Sequence, residues 1–122
     1  MKSLVALLLW ALASVSWSAP AISADEVATM ATPRLLLDVR SAAEFADGHV
    51  PGAVNIAHDS LQGNEAVLSG WKDKTVILYC RTGRRSTLAA EVLEKAGFSD
   101  VRLLDGNVQG WTDKGFSLEK GR

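Results

Sequence analysis

The sequence predicts an α/β domain, and three observations support this fold class. The apolar runs at 35–37 and 75–79 are short and continuous, as buried parallel strands are. Helical patterns alternate with such runs, and two of them begin with a Ser-x-x-Glu capping box. Polar segments follow these strands at 38–40 and 80–86, on the side where open parallel sheets bind their ligands. We therefore expect one α/β domain with a site at the carboxyl ends of its strands.

The N-terminal residues have the layout of a secretory signal peptide. Lys2 precedes an apolar block at 4–15, and small residues suited to cleavage follow. The block is shorter than the roughly 20 apolar residues that span a membrane. We expect a signal peptide over 1–18, cleavage after Ser18 or Ala21, and no stable membrane insertion afterwards. The expected location is periplasmic, with secretion as the alternative.

The expected mature chain is a single domain that spans 22–118. Cleavage after Ser18 leaves 104 of the 122 residues, which is enough for one core. These residues include 12 basic and 14 acidic side chains, a balance that argues against nucleic acid as a partner. One cysteine and two separated histidines are too few ligands for a zinc or iron–sulfur site. We expect no metal and no cofactor.

The first half of the domain is predicted to contain two short helices and two strands. In order, these are a helix from Ser23 to about Ala31, a strand at 35–37, a helix from Ser41 that Asp47 and Gly48 close, and a strand at 53–56. Capping boxes start both helices, and Pro33 ends the first one. The second strand is entered through a Pro-Gly turn.

The second half is predicted to contain the best strand and the best helix of the chain. In order, its elements are a loose helix at 61–68, a strand at 75–79, a helix from Ser86 that Gly97 stops, a strand at 101–104, a turn at 105–107 and a helix at 108–114. Continuous apolarity and β-branched content place the strand at 75–79 in the centre of the sheet. We expect Trp71 to pack on the flank of the sheet.

The loop 80–86, Cys-Arg-Thr-Gly-Arg-Arg-Ser, is the candidate site. Backbone N–H groups between a strand and a helix, together with the helix dipole, form a nest for an anion such as a thiolate. We expect Gly83 to supply the angles of a tight loop, and Ser86 to cap the helix or to donate to the sulfur. Three arginines add positive charge, so the pKa of the Cys80 thiol should fall. A lone cysteine is more often a small buried hydrophobe, but this charged loop favours a nucleophile.

The loop 80–86 resembles the active-site loop of the rhodanese family of sulfurtransferases. Other segments match the family's signatures: 38–40, 44–45 and 48–56 resemble the N-terminal one, and 106–111 resembles the C-terminal one. The similarity runs from about Leu35 to Phe116. Asn107 stands where the family usually has a second glycine, and asparagine tolerates the left-handed angles of such a turn.

The resemblance implies the family's small parallel sheet with helices on both faces, and its two-step chemistry. Cys80 would attack the outer sulfur of a small anionic donor such as thiosulfate, become a persulfide, and pass the sulfur to cyanide or a thiol. The implied donor-binding residues are Arg40, Arg81, Thr82, Gly83, Arg84, Arg85 and Ser86, with Arg85 first among the arginines. Asp38 is expected to support the site by pairing with a loop arginine, or to be an ordinary solvated charge. His49 is expected to be structural, since attack on sulfur needs no general base.

Two other functions remain open at this point. Phosphatases related to the rhodanese family have five residues between their cysteine and arginine, whereas four lie between Cys80 and Arg85. The shorter loop argues against a phosphatase. A non-catalytic sulfur carrier or protein-binding module would need the same cysteine and loop, so the sequence does not separate it from an enzyme.

Overall fold

The structure is a computed structural model that describes residues 19–122. Its strands are β1 (Ala21–Ile22), β2 (Arg34–Asp38), β3 (Val54–Asn55), β4 (Thr75–Tyr79) and β5 (Asp100–Leu104). They form one parallel five-stranded sheet in the order β1-β5-β4-β2-β3. The helices are α1 (Ala24–Thr29), α2 (Ala42–Asp47), α3 (Glu65–Leu68), α4 (Arg84–Lys95) and α5 (Asn107–Asp113). These elements confirm the predicted α/β fold.

Two buried clusters lie on the two faces of the sheet, because successive residues of a strand point to opposite faces. The first cluster joins the sheet to α3 and α4, and includes Leu35, Leu37, Val76, Leu78, Leu68, Ala89 and Leu93. The second joins the sheet to α1 and α5, and includes Leu36, Ile77, Tyr79, Val27 and Trp111. Helices therefore cover both faces, as the resemblance implies. Trp71 is partly buried against the first cluster.

β4 is the central strand, as its composition predicts. It pairs with β2 on one side and with β5 on the other, so that Leu78 lies between Leu37 and Leu103. The residues from Val76 to Tyr79 have no exposed surface. The next residue, Cys80, is thereby placed in the middle of the carboxyl edge of the sheet.

Some elements differ from the sequence-based predictions. β1 is an additional strand of two residues, which is too short for a hydrophobic period to reveal. The predicted helix at 61–68 is broken into a 3₁₀ turn at Leu61–Asn64, the single turn of α3, and a second 3₁₀ turn at Ser69–Trp71. Gly63 and Gly70 lie in these turns and weaken a regular helix.

The predicted signal peptide at 1–18 lies outside the described residues. Within residues 19–122, no helix has the length and apolarity needed to cross a membrane.

Candidate active site

Cys80 lies at the carboxyl end of β4 and exposes 1% of its surface. Two backbone N–H groups, those of Gly83 and Ser86, donate to its sulfur with nitrogen–sulfur distances of 3.0 and 3.4 Å. The Ser86 hydroxyl oxygen lies 3.5 Å from Sγ, where it accepts from the thiol and can donate to a thiolate. A ring of N–H and O–H groups of this kind stabilises an anion at its centre.

The pKa of the Cys80 thiol lies below its ordinary value. Burial by itself would raise the pKa, but hydrogen bonds from the Ser86 hydroxyl and from the backbone of Ser86, Gly83 and Thr82 outweigh it. Both the direction and the nest of loop dipoles agree with the expectation from the sequence. Arg85 adds a Coulombic interaction with Cys80, which acts in the same direction.

Gly83 immediately precedes α4 and has a φ of 104°. A side chain would be strained at this angle, and a Cβ atom would lie 3.3 Å from Nδ2 of Asn107. Because α4 begins at Arg84, Ser86 lies inside the first turn, and its predicted role as the helix cap is wrong. The Ser86 hydroxyl faces Sγ and lies 3.1 Å from the Gly83 carbonyl oxygen.

Asn107 contacts the site through its side chain, which the sequence did not predict. Its φ of 56° confirms the expected left-handed angle. Its Oδ1 accepts the Cys80 N–H at 3.1 Å and lies 3.2 Å from Oγ of Ser86. One feature of the sequence could have indicated this contact: Asn107 has a polar side chain where the C-terminal motif of the family usually has a glycine.

Glu44 is a second residue whose contact the sequence did not predict. Its carboxylate binds Arg85 in a two-pronged pair, with N–O distances of 2.6 and 3.0 Å. This bond, together with hydrogen bonds from the backbone and side chain of Ser41, lowers the pKa of Glu44 to about 2. The same carboxylate accepts the Ser41 N–H in the capping box of α2. Arg85 is therefore tied to α2, and much of its charge is compensated.

Asp38 and Arg40 form a buried ion pair with each other. Asp38 is fully buried and Arg40 exposes 6% of its surface. The guanidinium donates to both carboxylate oxygens at 2.6 to 3.1 Å and to the Gly48 carbonyl at 2.7 Å. The expected pairing of Asp38 with a loop arginine is wrong, because Arg40 occupies the carboxylate. The burial of Arg40 and its internal bonds also argue against the expected contact with a substrate oxyanion.

The remaining loop residues face solvent. Arg81, Thr82 and Arg84 are exposed, and neither arginine forms an ion pair with any residue from 19 to 122. The structure thus gathers Cys80, Gly83 and Ser86 around the sulfur and leaves two uncompensated guanidinium groups at the rim. An approaching anion would meet these positive charges first.

His49 occupies a structural position. Its ring stacks on Phe45 with centroids 3.7 Å apart, and Nδ1 lies 2.8 Å from the Phe45 carbonyl oxygen. Its backbone forms two hydrogen bonds with Glu119, which fix the C-terminal segment to the body of the domain. These contacts agree with the interpretation of His49 as a packing residue.

Comparison with protein families identifies the domain. The family model of the rhodanese-like domain matches residues 23–114. A crystal structure of the thiosulfate sulfurtransferase from Pseudomonas aeruginosa superimposes with a TM-score of 0.78 and 28% identity, over 84% of this chain and 20% of that chain.

Two curated relatives are informative. A protein of Allochromatium vinosum named "Sulfurtransferase" is 32% identical over 84 residues, which cover 69% of this chain and 77% of that protein. The "Probable adenylyltransferase/sulfurtransferase MoeZ" of Mycobacterium tuberculosis is 38% identical over 76 residues, or 62% of this chain and 19% of MoeZ. The chain spans less than two thirds of the length of this and several other curated relatives.

Proposed function

Because the chain belongs to the family of rhodanese-like domains, we propose that it is a sulfurtransferase that uses thiosulfate or a similar donor and forms a persulfide on Cys80. The sulfur would pass to cyanide or a thiol. The observation that carries the proposal is the convergence of two backbone N–H donors and the Ser86 hydroxyl on a buried sulfur. A structural cysteine needs no such donors, whereas a nucleophilic thiolate does.

In the first step, the Cys80 thiolate attacks the outer sulfur of thiosulfate. A bond forms between Sγ and that sulfur, the S–S bond of the donor breaks, and sulfite leaves with the electron pair. The exposed guanidinium groups of Arg81 and Arg84 would attract the dianion and stabilise the departing sulfite. Arg85 has a smaller part than its position in the loop suggests, because Glu44 compensates its charge.

In the second step, the acceptor attacks the outer sulfur of the persulfide. The S–S bond to Cys80 breaks, and the electron pair returns to Sγ as a thiolate. The N–H groups of Gly83 and Ser86 stabilise this leaving group at the moment when it regains its charge. The same two donors therefore serve both half-reactions.

A test of the proposal is turnover with thiosulfate and cyanide, followed through thiocyanate. We expect turnover by the wild-type protein and none by Cys80→Ser. A stable persulfide that is released only to one protein acceptor would favour the sulfur carrier. Hydrolysis of a phosphate ester with no thiocyanate would favour the phosphatase, which the loop length disfavours.

We also propose that the protein is exported to the periplasm and loses residues 1–18 or 1–21. The apolar block after Lys2 supports this proposal. Terminal sequencing of protein from the periplasmic fraction should give Ala19 or Ile22 as the first residue. A cytosolic protein that retains Met1 and Lys2 would contradict it.

A further inference from the structure

We infer that Asn107 is a positioning residue of the sulfur site, which fixes the Cys80 peptide and limits how strongly the Ser86 hydroxyl stabilises the thiolate. From the sequence, Asn107 had only a backbone role in the turn before α5. Any effect of Asn107 on sulfur transfer rests on the proposed function. Its effect on the reactivity of the thiol does not rest on that function, since this reactivity can be measured without a sulfur donor.

The first two residues of α5 form hydrogen bonds with both backbone polar groups of Cys80. Oδ1 of Asn107 accepts the Cys80 N–H at 3.1 Å. The Val108 N–H donates to the Cys80 carbonyl oxygen at 3.2 Å. Cys80 lies two residues beyond Leu78, the last β4 residue paired with β5, so these two bonds take the place of the sheet hydrogen bonds there. The start of α5 therefore sets the position of the nucleophile.

The Ser86 hydroxyl has one proton and three acceptors within reach. The Gly83 carbonyl oxygen lies at 3.1 Å, Oδ1 of Asn107 at 3.2 Å and Sγ of Cys80 at 3.5 Å. A thiolate attracts the proton by its charge. A neutral sulfur, either a thiol or the inner sulfur of a persulfide, leaves the two carbonyl oxygens as better acceptors. Asn107 thus competes with the thiolate for this proton.

Asn107 also acts on the sulfur directly. Its Oδ1 lies 3.8 Å from Sγ, and the negative end of an amide dipole at this distance disfavours a thiolate. Both effects oppose the stabilisation that Gly83 and Ser86 provide. A less stabilised thiolate is a better nucleophile, because the intrinsic reactivity of a thiolate falls as the pKa of its thiol falls.

The test leaves unchanged the charged groups on the loop and on the elements that adjoin it. They are Arg81, Arg84 and Arg85 from the loop and α4, Glu44 from α2, Asp38 and Arg40 from β2, and Asp105 from the turn before α5. Changes confined to position 107 therefore report on the amide alone.

The experiment measures the rate of Cys80 alkylation by iodoacetamide against pH in wild type, Asn107→Gly and Asn107→Asp. Glycine accepts the φ of 56° and removes the amide, whereas aspartate keeps the acceptor and adds a charge. Asn107→Gly should shift the profile to lower pH, with alkylation about threefold faster on its acidic limb. Asn107→Asp should shift it to higher pH, with alkylation roughly tenfold slower.

Opposite shifts in the two variants support the inference, and any other pattern overturns it. A residue that only shapes the turn would change the thermal unfolding temperature without moving the alkylation profiles in opposite directions. Failure of the proposed function would give a different result, namely a wild-type protein that reacts with iodoacetamide but forms no persulfide.

Discussion

Cys80 owes its low thiol pKa to the dipoles of Gly83, Ser86 and Thr82, which outweigh the penalty of burial. Among the three loop arginines, Arg85 adds a Coulombic attraction to Cys80 while it is bound to Glu44, and Arg81 and Arg84 are exposed. Dipoles fixed by the fold need no reorganisation when charge appears on the sulfur, so they suit a group that gains and loses a negative charge in each cycle of the proposed reaction.

Removal of the Ser86 hydroxyl tests this account at a single residue. Ser86→Ala should raise the pKa of Cys80 and slow alkylation on the acidic limb of the pH profile about tenfold, because a hydrogen bond to a charged group contributes about 1.5 kcal/mol or more. The measurement is the pH profile of Cys80 alkylation, with the exposed neighbour Thr87→Ala as the control. An unchanged profile for Ser86→Ala would mean that the hydroxyl does not stabilise the thiolate.

At the scale of elements, the sulfur loop is held between two helices that come from distant parts of the chain. The capping box of α2 presents Glu44 to Arg85, 41 residues further on. The first turn of α5 binds Cys80 across 27 residues. Packing of α2 and α5 therefore decides the shape of the loop.

Arg85→Gln tests the tie between α2 and the loop. The pKa of Glu44 should rise from about 2 towards its ordinary value, which carboxyl NMR shifts can follow. Since the folded-state pKa is depressed, the pair stabilises the protein above the unfolded-state pKa, and this contribution disappears as pH falls through about 2. The loss at neutral pH should be about 1 kcal/mol or less, because both side chains are partly exposed.

Arg84→Gln is the matched control, as Arg84 lies next in the chain and is exposed. It should leave the pKa of Glu44 and the unfolding free energy nearly unchanged. Equal effects of the two substitutions would contradict a specific tie through Arg85.

Gly110→Ala tests the packing of α5. A Cβ atom at this position would clash with the Asp105 carbonyl oxygen, so α5 must move away from the turn that precedes it. We expect destabilisation by about 3 kcal/mol in urea unfolding, together with slower sulfur transfer. Gly63→Ala is the control, because no atom lies within 4 Å of its Cβ position. A folded Gly110→Ala protein with wild-type stability would contradict the described packing.

At the scale of the whole molecule, the sequence predicts the fold more completely than the site. Continuous apolarity identifies β2 and β4 because each strand is buried on both faces. The Cys80 loop can be recognised in the sequence as a candidate site because its glycine and three arginines follow a strand. The contacts of Asn107 and Glu44 were missed, since they join residues far apart in sequence and depend on helix packing that no local pattern encodes.

The wrong prediction of the ion-pair partner of Asp38 has a similar cause. The sequence placed Asp38 and the loop arginines at one edge of the sheet, and proximity suggested a pair. Arg40, only two residues away, folds back onto the carboxylate and also reaches the Gly48 carbonyl. Its burial over the ring of Tyr79 removes both charges from solvent.

The intact mass of the protein after incubation with thiosulfate tests the central claim most directly. Cys80 is the only cysteine, so any persulfide must form on it. Wild type should gain the mass of one sulfur atom and lose it again on addition of cyanide, whereas Cys80→Ser should gain none. A folded wild-type protein with a free, titratable thiol and no added mass would contradict a persulfide mechanism with thiosulfate.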